Sequence, residues 1–162
     1  MACAGEELVN PLTGERIVFS RTAAETAGQL LEMDAFWTQR GQRAVEHVHP
    51  EMQERWEVIA GNACFRVGGV ERTAGPGEVV VAPPGVAHLA WNPADEPAHV
   101  RISMRPALRW EVFVERLFAL ACAGQRAQLQ APDPALMLAL LNEFPREIAL
   151  PPRRFEETRS RP

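Results

Sequence analysis

The stretch EHVHPEMQERWE, residues 46–57, sets His47 and His49 one residue apart and follows them with Glu51, Glu54 and Glu57. The 162-residue chain has only four histidines, His47, His49, His88 and His99, so half of them fall in this segment. Side chains at i and i+2 of a strand point to the same face. A strand over AVEHVH would therefore aim two imidazoles at one point. Pro50 then breaks the strand, and a hairpin returning along WEVI would bring a carboxylate beside the pair. His-x-His is weak evidence alone. The set still lacks one donor, and His88, just after PPG and at the start of HLAW, is the best supplier. Three imidazoles and one carboxylate suit a divalent transition metal such as iron, manganese, nickel, copper or zinc. Calcium would want more oxygens.

Such donors need a rigid frame. From about Glu15 to Arg105 the chain shows short apolar or β-branched runs, among them RIVF, LLEMDAFW, WEVI, CFRV, EVVVA, HLAW and HVRISM. Turn formers separate them: RG, AGN, GG, AGPG, PPG and NPADEP. Many short strands at regular spacing predict an antiparallel sandwich or barrel. In the last run Val100, Ile102 and Met104 alternate with His99, Arg101, Ser103 and Arg105, one apolar face against one polar face. After Pro106 the period becomes helical. Trp110, Phe113, Val114, Leu117, Phe118 and Ala121 form one stripe, with Gly124 as its stop. A second helix opens at Asp133-Pro134, an N-cap followed by proline at the first helical position, and runs through Leu136, Met137, Leu140 and Leu141 to Phe144. Both stripes read as packing surface.

Two motifs then carry a resemblance. Gly41, His47, His49, Glu54 and Gly61 fall on G-x5-H-x-H-x4-E-x6-G, and Gly77, Pro83, Gly85, His88 and Asn92 fall on G-x5-P-x-G-x2-H-x3-N, both without a gap. These are the two motifs of the cupin superfamily, which the chain resembles over about residues 41–92. The resemblance implies an all-β fold, a double-stranded β-helix or jelly-roll barrel of six to eight strands with a metal in its mouth. Here two short C-terminal α-helices lie outside the motifs. It implies His47, His49, Glu54 and His88 as metal ligands. Spacing sets Glu54 ahead of Glu51, a turn residue. Glu57 has the opposite strand parity and is expected at the surface. Gly61, Gly77 and Gly85 sit where the chain reverses and positive φ is wanted, and Asn92 closes a turn. The domain boundaries that follow are an N-terminal arm at 1–14, the barrel at 15–106, a helical extension at 107–145, and a tail at 146–162 whose PPRRFEETRSRP end shows no apolar periodicity.

A metal held by these four groups keeps positions open for a chelating substrate, dioxygen or water. The neighbouring VVVA, Ile59, Val67 and Val81 suggest an apolar cavity for a small, partly apolar molecule with an enol, phenol, thiol or carboxylate handle. The first functional expectation is a small dioxygenase like the quercetinase-type cupins, with Glu54 able to act as a base. The second keeps the metal as a Lewis acid for isomerisation or cyclisation. The third is a ligand-binding barrel without turnover. Trp56 shares parity with Glu54 and is expected mainly in the core. His99 is expected as a surface histidine. Arg66 and Arg101 are candidates to clamp a substrate carboxylate.

Composition bounds the remaining classes. A net charge of −4 with mixed signs gives no electrostatic footprint for nucleic acid or an anionic membrane. No apolar window is long enough to span a bilayer, and MACAGEELVN lacks the basic-then-apolar pattern of a secretory signal, so a cytoplasmic protein is expected. Cys3, Cys64 and Cys122 form no C-x-x-C pair and suggest neither a disulfide framework nor a zinc ribbon. The helical stripe from Trp110 to Ala121 must be covered by the barrel or by a second subunit. Single-barrel cupins are commonly dimers, so a homodimer with a small-molecule substrate is the expected assembly.

Overall fold

The computed structural model describes residues 2–42, 44–128 and 131–151. Two antiparallel sheets face one another. The larger holds β1 (Glu7–Asn10), β2 (Glu15–Arg21), β3 (Leu31–Trp37), β10 (Ala98–Arg105), β5 (Gln53–Ala60) and β8 (Val79–Ala82), paired in that order. The smaller holds β4 (Gly41–Gln42), β9 (His88–Asn92), β6 (Ala63–Val67) and β7 (Val70–Ala74). Helices α1 (Trp110–Arg126) and α2 (Pro134–Glu143) follow the last strand. The all-β jelly roll with two C-terminal helices is thus present, with six and four strands in its two sheets. Among the described residues that makes ten strands, above the expected six to eight. Part of the excess is β1, inside the segment read as an arm, which pairs with β2 from Glu7↔Val18 to Asn10↔Glu15.

Alternation builds the barrel interior. Leu31, Met33, Ala35 and Trp37 of β3 are buried while Glu32, Asp34 and Phe36 are less so, and Val100, Ile102 and Met104 repeat the pattern on β10. Trp56 and Trp37 pack against Phe65 from the other sheet, at ring centroids 5.1 and 6.4 Å away, and so join the two layers. At the hairpin after β5, Gly61 has φ 74°, and a Cβ there would stand 2.4 Å from the Pro97 carbonyl oxygen. Only glycine fits both the dihedral and the space.

The helices cover the barrel mouth. Trp110, Phe113, Val114, Phe118 and Ala121 are buried within the chain itself, so the stripe finds its cover without a second subunit. Gly124 does not stop α1, which continues to Arg126. It is a packing position instead: a Cβ there would meet Leu12 and the Ala131 carbonyl at 3.7 and 3.5 Å. Asp133 caps α2 by accepting from the amides of Ala135 and Leu136 at 2.8 and 3.2 Å. Leu140 is buried, Leu136 is exposed, and Phe144, just past the helix, is fully buried against Phe113. Of the tail, residues 152–162 lie outside the described residues.

Candidate metal centre

His47 and His49 do not sit in a long strand. His47 makes a single antiparallel bridge with His88, each amide donating to the other's carbonyl at 3.0 and 2.9 Å, and Val48 makes a separate bridge with Ala149. Successive residues have different partners, so no ladder propagates. The expected hairpin with WEVI is also absent, because β5 pairs with β10 and β8. Glu54 instead reaches the histidines across the mouth, from the larger sheet, while His88 opens β9 in the smaller one. Gly85, at φ 77°, donates its amide to the His49 carbonyl at 2.9 Å and so ties the loop before His88 to the His-x-His segment.

The four predicted residues converge. One donor atom from each of His47, His49, Glu54 and His88 lies within 4.8 Å of every other, and all four side chains are buried. Each imidazole is held from behind. Nδ1 of His47 lies 2.8 Å from the Val45 carbonyl, Nδ1 of His88 2.8 Å from the Val86 carbonyl, and Nδ1 of His49 2.5 Å from the Glu147 carbonyl. A carbonyl only accepts, so each Nδ1 carries the hydrogen and each neutral ring turns an Nε2 lone pair toward the centre. Glu54 Oε2 stands 3.1 Å from both His49 Nε2 and His88 Nε2. The approach to His88 lacks hydrogen-bond geometry, which leaves that buried Nε2 without a partner. Lone pairs facing lone pairs at this distance repel unless a proton or a cation lies between them. The donor set therefore fits a divalent metal ion.

Protonation follows the same geometry. Burial pushes His47 down to about 4, helped by His49 and His88, so it is neutral at neutral pH. Burial would raise the Glu54 carboxyl, but the attraction of the adjacent His49 and His88 rings, once protonated, outweighs it and holds the group well below the usual carboxylate range. For His88, burial pulls downward and the Glu54 carboxylate overcomes it, so its pKa is raised.

The cluster opens on a cavity of about 390 Å³. Its apolar wall includes Ile17, Trp56, Ile102, Phe113, Phe118 and Met137. Trp56 is therefore both core and lining. Ile59 and Val81, expected near the cavity, alternate outward and are partly exposed, and Val67 does not line it either. The helices supply the wall instead. Trp110 sets its ring edge-on to His49 at 4.6 Å and stacks on Phe113 at 4.7 Å. Sequence reading took this stripe as plain packing, since an amphipathic helix looks the same over a solid core or over a cavity. It also missed Glu147 and Glu15, a buried cavity-lining carboxyl whose inward parity with Ile17 and Phe19 was the available signal.

The other candidates lie elsewhere. Glu51 is exposed and takes a three-contact fork from Arg146 at 2.6 to 3.0 Å. Glu57 pairs with Arg55 at 2.9 Å, away from the cavity. His99 contacts Asp34 at 2.8 Å and stacks on Phe36, with Arg101 on the same carboxylate at 3.1 Å. Arg66 is held by Glu71 at 2.7 Å and borders a separate depression with Arg40 and Trp91. Strand parity turns Arg101 outward and the Glu71 pair occupies Arg66, so neither clamps a ligand in the cavity.

Residues 38–104 match the family model described as Cupin domain. The chain is similar to a solved RmlC-like cupin from Shewanella frigidimarina, with 18% identity, a TM-score of 0.54, and coverage of 63% of this chain and 85% of that one. It is similar to a sugar phosphate isomerase of the cupin superfamily from Silicibacter pomeroyi, with 19% identity, a TM-score of 0.53, and coverage of 62% and 70%. It is also similar to a recombinant oxalate oxidase solved with glycolate, with 21% identity, a TM-score of 0.50, and coverage of 59% of this chain and 52% of that one. The chain thus spans about half the length of the oxidase. At such identities the likeness establishes the fold alone. No curated protein sequence matches the chain. Two ungapped motifs, the family-model match and a jelly roll that gathers both motifs at its mouth identify residues 38–104 as a cupin domain.

Proposed function

We propose that the protein is a metal-dependent enzyme acting on a small organic molecule, an oxygenase of the quercetinase-like dioxygenase class. One observation carries the reading: a buried cluster of three imidazoles and one carboxylate lies at the wall of an apolar cavity of about 390 Å³. His47, His49, Glu54 and His88 would hold the ion, which when bound supplies chelation of an enolate or phenolate and a route for electrons to dioxygen. Glu54, ionised in this setting, is placed to accept the proton that an enol or phenol loses on chelation. Trp110 and Phe113 exclude water from that side, which strengthens every charge interaction in the cavity. The three cysteines are all unpaired, which supports a reducing, cytoplasmic setting. A homodimer remains part of the proposal and is tested by light scattering.

The experiment is oxygen uptake by protein loaded in turn with iron, manganese, nickel, copper or zinc and offered a panel of enolisable and phenolic compounds. Substrate-dependent uptake with a redox-active ion, absent with zinc, is the expected result. Turnover that consumes no oxygen and survives zinc substitution would replace this reading with a non-oxidative isomerase or cyclase. Tight ligand binding without turnover would make the protein a binding barrel.

A further inference from the structure

Trp56 is the next inward residue after Glu54 on β5. The strand buries Glu54, Trp56 and Val58 and leaves Gln53, Arg55 and Glu57 half-buried, so the indole and the candidate ligand share the inner face of the barrel. The Trp56 ring lies 5.5 Å from the His88 ring, centroid to centroid, and forms part of the cavity lining. The indole is thus a direct neighbour of the metal cluster.

An indole has one polar group, the Nε1 hydrogen, and can only donate. A buried tryptophan usually finds an acceptor for it. Trp37 does so, donating to Glu15 Oε1 at 2.9 Å. Trp56 does not. Its strand partners are Ile102 on β10 and Val80 on β8, and Phe65 packs on it from the other sheet, none with a side-chain acceptor. The His88 Nε2 lone pair takes no hydrogen either. Among the described residues nothing accepts from Trp56. Nor is its nitrogen walled in, since the enclosed side-chain polar atoms without a partner are Ser20 Oγ and His88 Nε2. An N–H that is neither bonded nor enclosed, on a residue only 2% exposed, opens on the cavity that residue lines. Holding it there costs free energy that a phenylalanine would not.

We infer that Trp56 is a specificity-determining residue that donates its Nε1 hydrogen to the ligand. The ligand then carries an acceptor oxygen at, or bonded close to, the atom that binds the ion. This rests on the metal-dependent reading above and adds a second polar contact to it. Enolates, hydroxamates and carboxylates keep an oxygen lone pair to spare after binding an ion. A thiolate without oxygen has none to offer. Trp56 takes no proton and makes no covalent bond; it selects which head groups lie correctly on the ion.

Acetohydroxamic acid, with oxygen acceptors, and ethanethiol, with none, test this without turnover. In zinc-loaded protein labelled with nitrogen-15, the indole proton of Trp56, assigned through the backbone, should move downfield when acetohydroxamate saturates the site and stay in place with ethanethiol. Affinities are read from the visible spectrum of cobalt(II)-loaded protein. Trp56→Phe keeps an aromatic ring and removes the N–H. It should weaken acetohydroxamate about tenfold, the scale of one hydrogen bond to a charged group, and leave ethanethiol unchanged. A Trp56 signal that stays in place with acetohydroxamate bound, or equal weakening of both compounds in the variant, overturns the inference and leaves the metal site standing. Ions that do not bind, or a site that takes neither compound, would sink it together with the functional reading beneath it. The indole signal is read in the parent protein, so misfolding of Trp56→Phe does not blunt the test.

Discussion

His49 donates its Nδ1 hydrogen to the backbone carbonyl of Glu147, 98 residues further along the chain. A candidate ligand in the first cupin motif is thus oriented by the segment that follows α2. Two further contacts bind the same pieces: the Val48–Ala149 bridge and the Arg146–Glu51 ion pair. Ending the chain at Arg146 removes the carbonyl and the bridge together. Partners of this kind behind a metal-bound histidine typically contribute about 10- to 100-fold in affinity. The shortened protein should lose metal affinity on that scale in a chelator competition, while its far-UV circular dichroism keeps the β signature. Unchanged affinity would show that His49 is held by packing alone.

His88→Ala removes a donor outright. The loss should exceed that of an outer partner, more than about a hundredfold in metal affinity. His88 is the first residue of β9 and is not part of the main apolar cluster, so the barrel should persist. Elemental analysis after purification without added metal, alongside circular dichroism, checks both halves. A variant that retains stoichiometric metal would remove His88 from the site.

The candidate site was legible in the sequence because its offsets are local. His47, His49 and Glu54 lie within eight residues, and a fixed distance along an extended chain leaves few ways to arrange them. Turns were legible for the same reason, since Gly61, Gly77 and Gly85 all take the positive φ their positions suggested. What failed was non-local. The hairpin predicted for His-x-His assumed that sequence neighbours pair, but β5 finds β10 and β8 instead. The cavity wall failed likewise. Ile59 and Val81 are close to the site in sequence but outward by parity, whereas Phe113 and Met137 are distant and line it. Glu147 acts through its backbone carbonyl, a group every residue has, so no side-chain pattern could mark it.

Acid should destabilise the metal-free protein in two stages. The folded-state pKa of His47 is lowered from 6.5 to about 4, so across that window the unfolded chain binds more protons and stability falls as pH falls. Glu54 is lowered from 4.5, which adds a further loss below that value. His88 is raised above 6.5 and acts oppositely: its contribution is full below 6.5 and fades as pH rises through its folded value. Stability without metal should therefore peak near 6.5, and thermal melts across the pH range would trace the peak. With a saturating ion the lone pair of His88 is occupied, so the alkaline decline should disappear. A metal-free protein equally stable at the acid end and at neutrality would contradict the arrangement of charges.

Arg66→Ala and Arg101→Ala should leave metal affinity and ligand binding where they are. Both guanidinium groups are partly exposed and engaged with Glu71 and Asp34 outside the cavity. Exposed pairs of this kind contribute about 0–1 kcal/mol, so Tm should move little. A large loss of ligand affinity in either variant would mean that the cavity reaches the outer face of the barrel.

Trp110 joins the lid to the site, because one ring contacts both His49 and Phe113. Trp110→Ala would remove a buried indole and enlarge the cavity beside the metal cluster. Changes of this type cost about 3–5 kcal/mol, depending on how far the site collapses. Denaturant unfolding should report a loss in that range. Metal affinity should fall much less than in His88→Ala, because the indole supplies no donor atom and the Glu147 carbonyl still orients His49. Binding of an apolar metal-chelating probe, such as an alkyl hydroxamate read on cobalt(II)-loaded protein, should weaken too, since the lost surface lies next to the metal cluster. If the variant matches the parent in both stability and ligand affinity, the helices do not form the lid of this cavity, and the ligand must enter and rest against the sheets alone.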